Sequence, residues 1–372
     1  MIGVLTASSP GADATPASSR ERVLPRRGEI VLPCPRMRVR LRGLFVGVAL
    51  VFALAAALVW ALLFGDIQLT PGQVIAAVAG AGDELTRTIV VQWRLGRALV
   101  AAAVGAALGL SGALTQTIAR NPLASPDILG ISMGASAAAV VAIVFGGNAL
   151  TIAGVTVGVP LAAVCGGLLT ALAIVMLSRG AGPSTYRIVL VGLGINALLG
   201  AVISYTLLAG DLDRVEMATM WLTGAITTQG YTELALLGIA FVPAALVVLM
   251  LGRHLGPLSL GEDLARAVGV PLYATIALLI AAVCATSAAV AITGPIGFVA
   301  FVAGQLARVM CGSPTPPLLA STLVGAVLVV VADIATSRLL PWTLPTGIAT
   351  SLIGVPVFIV LLVSTSRKVT TP

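Results

Sequence analysis

The sequence predicts an all-α, polytopic membrane protein with about ten transmembrane helices, and three observations carry that expectation. First, 58% of the residues are hydrophobic and 9% charged, whereas about a quarter of a soluble domain is charged. Second, ten apolar stretches of near-bilayer length follow one another with almost no charge inside them. Third, the charges between those stretches are sorted by side.

The first stretch is 43–64, GLFVGVALVFALAAALVWALLF, with no charged residue. At about 1.5 Å per residue, a helix of that length crosses a hydrocarbon core of about 30 Å. A charge at its centre would cost on the order of 2.5–3.5 kcal/mol. The other candidates are 98–115, 128–146, 152–177, 188–209, 234–251, 272–293, 295–307, 317–332 and 346–364. The eighth and ninth are short, so one of them is expected to be tilted, half-buried or partly re-entrant. Gly105, Gly109 and Gly112 recur at near-helical spacing, as do Gly192, Gly194 and Gly200. Lipid offers no hydrophobic drive between helices, so small residues serve close packing.

With ten spans and an inside start, Arg36, Arg38, Arg40, Arg42, Arg120, Arg179, Arg187, Arg253, Arg266, Arg308, Arg367 and Lys368 collect on the cytosolic face. The opposite face holds Arg87, Arg94, Arg97, Arg214 and Arg338, with Asp66, Asp83, Glu84, Asp211, Asp213, Glu216, Glu233 and Asp333. This positive-inside bias places both termini in the cytosol. The net charge of +7 is therefore topological, and nucleic acid is not an expected partner. Residues 1–36 are Ala/Ser/Pro/Arg-rich without apolar periodicity and are expected to be a disordered, dispensable cytosolic tail. Met37 looks like a natural start for one membrane domain, 37–372.

Several chemistries are excluded. Lys368 is the sole lysine, so no phosphate-binding G-x-x-x-x-G-K-[ST] loop exists. His254 is the sole histidine, and Cys34, Cys165, Cys284 and Cys311 form no C-x-x-C pair. Neither a metal site nor a disulfide framework is indicated, and no cofactor is expected in this chain.

Three junctions stand out. RNPLASPDILGISMGAS (120–136) contains Asn121-Pro122 and Ser125-Pro126, which interrupt helix geometry. Asp127 then begins the next helix, where it complements the dipole. The segment reads either as a broken helix shaping a gate or as a tight, well-capped turn. Its candidate gate residues are Asn121, Pro122, Ser125, Pro126, Gly130 and Gly134. GPIGF (294–298) offers the same choice between a sharp external turn and a gate formed by Gly294, Pro295 and Gly297. SLGEDLARAVGV (259–270) reads as a short amphipathic helix, with Leu260, Leu264, Ala267 and Val268 on one face and Gly269 ending it. NPLASPDILGISMGA (121–135) and LPTGIATSLIGVPVF (344–358) are faintly alike, as an inverted repeat would make them.

The run from Arg94 to Ser136, RLGRALVAAAVGAALGLSGALTQTIARNPLASPDILGISMGAS, resembles the permeases of iron–siderophore and vitamin B12 ABC importers, the FecCD-type family. LSLGEDLARAVGV (258–270) is similar to the cytosolic coupling segment of that family. GPIGFVAFVAGQLAR (294–308), VADIATSRLL (331–340) and LPTGIATSLIGVPVFIVLL (344–362) match later blocks in order. The resemblance spans about 43–366. It implies the type II importer permease (BtuC-like) fold with inverted repeats, in a bacterial cytoplasmic membrane.

It also implies partners and roles. Leu260, Gly261, Glu262, Ala265, Arg266, Gly269 and Val270 would dock onto a cytosolic ATPase subunit, which supplies ATP and Mg. Arg94, Arg97 and Arg338 would face an extracytoplasmic substrate-binding protein. A second permease subunit would complete the pathway. Many relatives have Pro-His where this chain has Gly304-Gln305, a change that favours a related heterodimer partner over a second copy. The expected function is passage of a ferric siderophore, with cobalamin and haem as alternatives, and no enzymatic step in this chain. An ion-coupled secondary transporter would need a mid-span acid or histidine. A membrane-embedded enzyme would need converging polar groups, and Arg120, Asn121 and Asp127 form the only dense cluster.

Overall fold

The computed structural model describes residues 29–31, 38–65, 67–146, 151–152, 155–156, 158–178, 185–226, 230–339 and 344–369. Most of the expected tail, with Cys34 and Met37, lies outside the described residues. The N-terminal unit, 1–41, contains a short antiparallel pairing of β1 (Glu29–Val31) with β2 (Arg38–Arg40).

The second unit, 42–372, is helical. α1 (Leu41–Leu63) leads to α2 (Pro71–Val78), which Thr70 and Gln73 open as a reciprocal capping box. Asp83 accepts from the Thr86 amide and starts α3 (Glu84–Arg87). A π-helical stretch, Thr88–Leu95, carries α3 without interruption into α4 (Gly96–Ile118), making one helix of 35 residues. The sequence places this span at 98–115 because Arg87, Arg94 and Arg97 disguise its start. After an irregular stretch come α5 (Ile131–Val141), extended by π turns to Gly146, and a hairpin of β3 (Thr151–Ile152) and β4 (Val155–Thr156). α6 (Gly158–Ser178), α7 (Thr185–Ala209), α8 (Leu212–Leu222) and α9 (Tyr231–Leu251) follow. α8 has no counterpart among the apolar stretches, since its sequence carries Asp213, Arg214 and Glu216. One 3₁₀ turn, Gly252–His254, precedes α10 (Leu255–Leu258) and α11 (Glu262–Ala267). The chain ends with α12 (Leu272–Thr293), α13 (Val299–Cys311), α14 (Leu318–Ile334) and α15 (Thr346–Val369).

Among the described residues, seven helices are long and apolar enough to cross a membrane, and three shorter ones span 131–146, 299–311 and 346–360. Together they coincide with the ten apolar stretches. The eighth stretch is short, as expected; the ninth is full length, and the third is the other short helix of the interior.

α4 is the axis of the bundle. Its Ala98–Leu108 half packs on Ala285–Ala289 of α12, whereas Leu110 and Leu114 meet Ala274 and Leu278, so the two helices run antiparallel. α14 also runs against α4: a Cβ at Gly105 would stand 2.2 Å from the Gly325 carbonyl oxygen. Only glycine on both helices permits that backbone contact. Arg42 donates to the carbonyls of Val309 and Met310 at 3.1 and 2.7 Å, satisfying C-terminal orphan groups of α13 and complementing its dipole.

The two short interior helices begin inside the bundle. Ala300 lies beside Gly112, well along α4, so α13 covers only the half of the bundle nearer Ile118. Its N-cap, Phe298, is left-handed at φ 64, and the N-cap of α5, Gly130, is left-handed at φ 86. The sharp-turn reading of 294–298 does not hold, because the segment descends into the bundle until the Phe298 side chain covers Gly354 of α15. The break at 119–130 is paralleled by this one, long helix then break then half-helix on antiparallel α4 and α12. That match is closer than the one expected with 344–358.

Candidate translocation groove and coupling face

α8, the 294–298 segment and α15 enclose an open groove of about 680 Å³. Leu222, Thr223, Pro295, Gly297, Gly347, Ile348, Ser351, Leu352, Val355 and Pro356 line it. Two hydroxyls among apolar walls supply few contacts to hold a passenger, which suits passage better than retention. On α15, Ile348, Leu352, Val355 and Ile359 form one exposed apolar stripe at helical spacing.

The head of the groove is a junction of three backbone segments. The Gly347 amide donates to the Gly224 carbonyl at 2.7 Å, and the Ala225 amide to the Thr293 carbonyl at 2.9 Å. A Cβ on Gly347 would stand 2.5 Å from the Thr223 carbonyl oxygen and 3.2 Å from that of Pro295. Gly224 adopts φ +68, and a Cβ there would lie 2.2 Å from the Pro295 carbonyl oxygen. Side chains at these two positions would force the segments apart. Of the gate residues named from sequence, Pro295 and Gly297 line the groove, and Gly294 sits behind it against the Trp221 carbonyl.

Asn121, Pro122, Ser125, Pro126, Gly130 and Gly134 stand apart from that groove. Asn121 caps its own turn, accepting from the Leu123 amide at 2.9 Å. Gly130 packs on Gly192 and Asn196 of α7, and Gly134 on Gly166 and Thr170 of α6. Asn196 also donates to the Asp127 carbonyl at 3.3 Å, and Ser132 donates to the Asp127 carboxylate. A buried amide pair ties this break to α13. Gln305 donates to Gln116 Oε1 at 2.7 Å and to the Pro122 carbonyl at 3.1 Å, while Gln116 donates to the Phe301 carbonyl at 3.0 Å.

The three arginines expected at a docking face have different surroundings. Arg94 is 7% exposed and donates to the Leu62 carbonyl at 2.7 Å and to the Ile67 carbonyl. It holds the segment after α1. Arg97 makes a two-pronged ion pair with Asp333 at 2.9 and 3.0 Å. Arg338 lies in the π turns Ala335–Leu339 after α14, and its side chain is outside the described residues. Sequence reading placed Asp333 at a span end without a partner. A lone acid beside an apolar run signals one, but not which.

At the other end of the bundle, α10 and α11 form a two-sided segment. Leu255, Leu258, Ala265 and Val270 are buried against Leu110, Leu114, Val248 and Leu278. Leu260, Leu264 and Val268 are 70%, 58% and 68% exposed. Gly261 at φ +128 and Gly269 at φ +86 bracket α11, and Arg266 pairs with Glu262 one turn away. Gly269 is where the sequence ends the helix, and its left-handed backbone is the reason. Gly261 lies under the Arg120 guanidinium, which is 3.2 Å from the place of a Cβ. These three large apolar side chains point away from the chain at its polar end, which makes them a candidate contact surface. Among the described residues no cluster of three or more His, Cys, Asp or Glu is arranged for a metal ion.

A model of the FecCD transport family matches residues 53–364. The ferric enterobactin transport system permease protein FepG of Escherichia coli is 35% identical over 88% of this chain and 98% of its own length. The achromobactin transport system permease protein CbrC of Dickeya dadantii is 38% identical, covering 86% of this chain and 90% of its own. The vitamin B12 import system permease protein BtuC of Vibrio cholerae is 34% identical over 86% and 92%. A solved structure assigned to the metal-chelate type of ABC transporter, in an inward-facing conformation, superposes with a TM-score of 0.75 at 28% identity, covering 86% of this chain and 99% of that one. With so much of its length matched, the chain belongs to the FecCD transport family, as a transmembrane permease.

Proposed function

We propose that this chain is the membrane subunit of an ATP-binding-cassette importer that passes a ferric siderophore across a bacterial cytoplasmic membrane. The observation that carries the reading is the two-sided α10–α11 segment. Its buried side is rooted in α4, α9 and α12, and its exposed side offers Leu260, Leu264 and Val268. A cytosolic ATPase seated there would act on helices that reach the rest of the bundle. The chain contains no nucleotide loop of its own, so ATP and Mg belong to that partner. This orientation puts both termini in the cytosol and the Arg97–Asp333 end outside, where a substrate-binding protein delivers cargo. There Arg97 and Arg338 remain the arginines for such a contact, and Arg94 serves the loop it holds.

The groove is open on one side, and the α15 stripe that lines it is exposed. A second permease subunit facing that stripe would close a pathway between the two chains. Gly304-Gln305, in place of the Pro-His of many relatives, favours a related partner over a second copy. The siderophore cargo is supported by the similarity to the enterobactin and achromobactin permeases FepG and CbrC, and the similarity to the vitamin B12 permease keeps cobalamin as the competing cargo.

The test is genetic and biochemical. Gly261→Arg should remove the ATPase from the purified complex while the chain still inserts in the membrane; normal co-purification would refute the docking face. Deletion of the gene should abolish uptake of iron-labelled siderophore and spare labelled cobalamin and haem. The reverse pattern would replace the cargo.

A further inference from the structure

We infer that Arg97, Asp333 and Thr346 form a positioning relay that sets the head of α15 and so the mouth of the groove. The inference rests on the proposed reading of the groove as a passage.

The relay is a chain of hydrogen bonds across three helices. Arg97 of α4 donates from Nε to Asp333 Oδ2 at 3.0 Å and from a terminal nitrogen to Oδ1 at 2.9 Å. The Thr346 hydroxyl, at the first residue of α15, donates to the same Oδ1 at 3.1 Å. Asp333 is 6% exposed and Thr346 2%. A buried carboxylate is stable only where donors meet its oxygens, and a planar guanidinium meets both at once. The Arg97 and Asp333 side chains stand on the helix pair with direct Gly105–Gly325 backbone contact, so they form the firm side of the relay.

Thr346 is the side that faces function. One residue on, the Gly347 amide holds the Gly224 carbonyl, and Gly347 itself is walled in by the carbonyls of Thr223, Gly224 and Pro295. The next turn supplies Ile348, Ser351 and Leu352 to the groove. Farther along, α15 is held by Phe298 over Gly354 and by the edge-on contact of Phe301 with Phe358 at 5.2 Å. The start of α15 is therefore placed from two directions: by the relay toward α4 and α14, and by the backbone junction toward α8 and 294–298. Moving either one moves the groove wall.

Simple neutralisation of a buried acid is the competing explanation, and the two separate at Thr346. Neutralisation needs Arg97 and is indifferent to the hydroxyl. A relay needs the hydroxyl, because it is the only link of the three that touches α15.

The experiment places one reporter thiol, Ala349→Cys, at a buried position on the first turn of α15, in a full-length chain cleared of its native cysteines and inserted in membrane vesicles with its second permease subunit and ATPase. The readout is the rate of labelling by a membrane-impermeant maleimide. Thr346→Val keeps volume and removes the donor, and it should raise the labelling rate about tenfold, the size of one lost hydrogen bond to a charged group. Asp333→Asn should do the same, and Thr346→Ser should label like the parent. Parent-like labelling of Thr346→Val at normal insertion would overturn the relay. So would Thr346→Ser labelling as fast as Thr346→Val. ATPase co-purification from the same vesicles reads the proposed function separately: its absence from the parent chain would refute that reading, whatever the thiol reports.

Discussion

The two working ends of the molecule are built in opposite ways. The α10–α11 segment is local. Its buried residues, its exposed residues and both bracketing glycines fall between Leu255 and Val270. The head of the groove is assembled from distant parts: Arg97 and Asp333 are 236 positions apart, and the junction gathers residues from 221–225, 293–297 and 346–347. The first is a short segment with its own buried and exposed sides. The second is a joint whose geometry depends on several helices arriving together. Both ends pack on α4 and α12, so a partner seated on α10–α11, as proposed, would have a route to the joint.

That contrast can be broken by substitutions at each end. The largest effect is expected for Gly261→Arg, which places a second guanidinium under Arg120 at a φ of +128 that side chains rarely adopt. ATPase co-purification should fall to background with membrane insertion unchanged. Gly347→Ala comes next. Its Cβ would press to 2.5 Å from the Thr223 carbonyl oxygen, so siderophore uptake should be largely lost while the ATPase still co-purifies. If both readouts failed together, the two ends would not be separable.

Smaller changes sharpen the picture. Gln305→Leu strands the Gln116 and Pro122 acceptors in a buried site, at a cost of about 1–3 kcal/mol. A lower unfolding temperature in detergent should report it. Gly269→Ala meets no neighbour within 4 Å, so its cost is backbone strain alone, about 1–2 kcal/mol, with weakened ATPase binding and intact uptake at high ATPase expression. The smallest effect concerns Asp83, whose carboxyl is held below its ordinary value, first by the Thr86 side chain and then by the Thr86 amide. A depressed value means the cap contributes above the ordinary carboxylate range and fades as pH falls through it. Protection of the amides at 84–90, taken relative to their intrinsic exchange rate at each pH, should therefore fall on acidification, and Asp83→Asn should remove that pH dependence.

Legibility in the sequence followed range. The α11 helix, its glycine stop and its apolar face were readable because each depends on residues within two turns. The start of the second span was not, since Arg87, Arg94 and Arg97 carry a polarity that only their partners explain: carbonyls of Leu62 and Ile67 for one, Asp333 for another. The 294–298 segment offered a sharp external turn first and a gate second. Its descent along α4 to Phe298 settled the backbone path. α8 was invisible to an apolar scan, because Asp213, Arg214 and Glu216 dilute it, yet its end supplies Leu222 and Thr223 to the groove.

Hydrophobicity, charge balance and helix punctuation are sums over neighbours, and they suffice for a ten-stretch membrane bundle, an amphipathic segment between the sixth and seventh stretches, and the absence of a G-x-x-x-x-G-K-[ST] loop. Which breaks meet, which acid faces which arginine and where a passage opens are products of helices packing side by side. A carbonyl beside Gly347 or a carboxylate beside Arg97 comes from a part of the chain whose nearness no local pattern encodes.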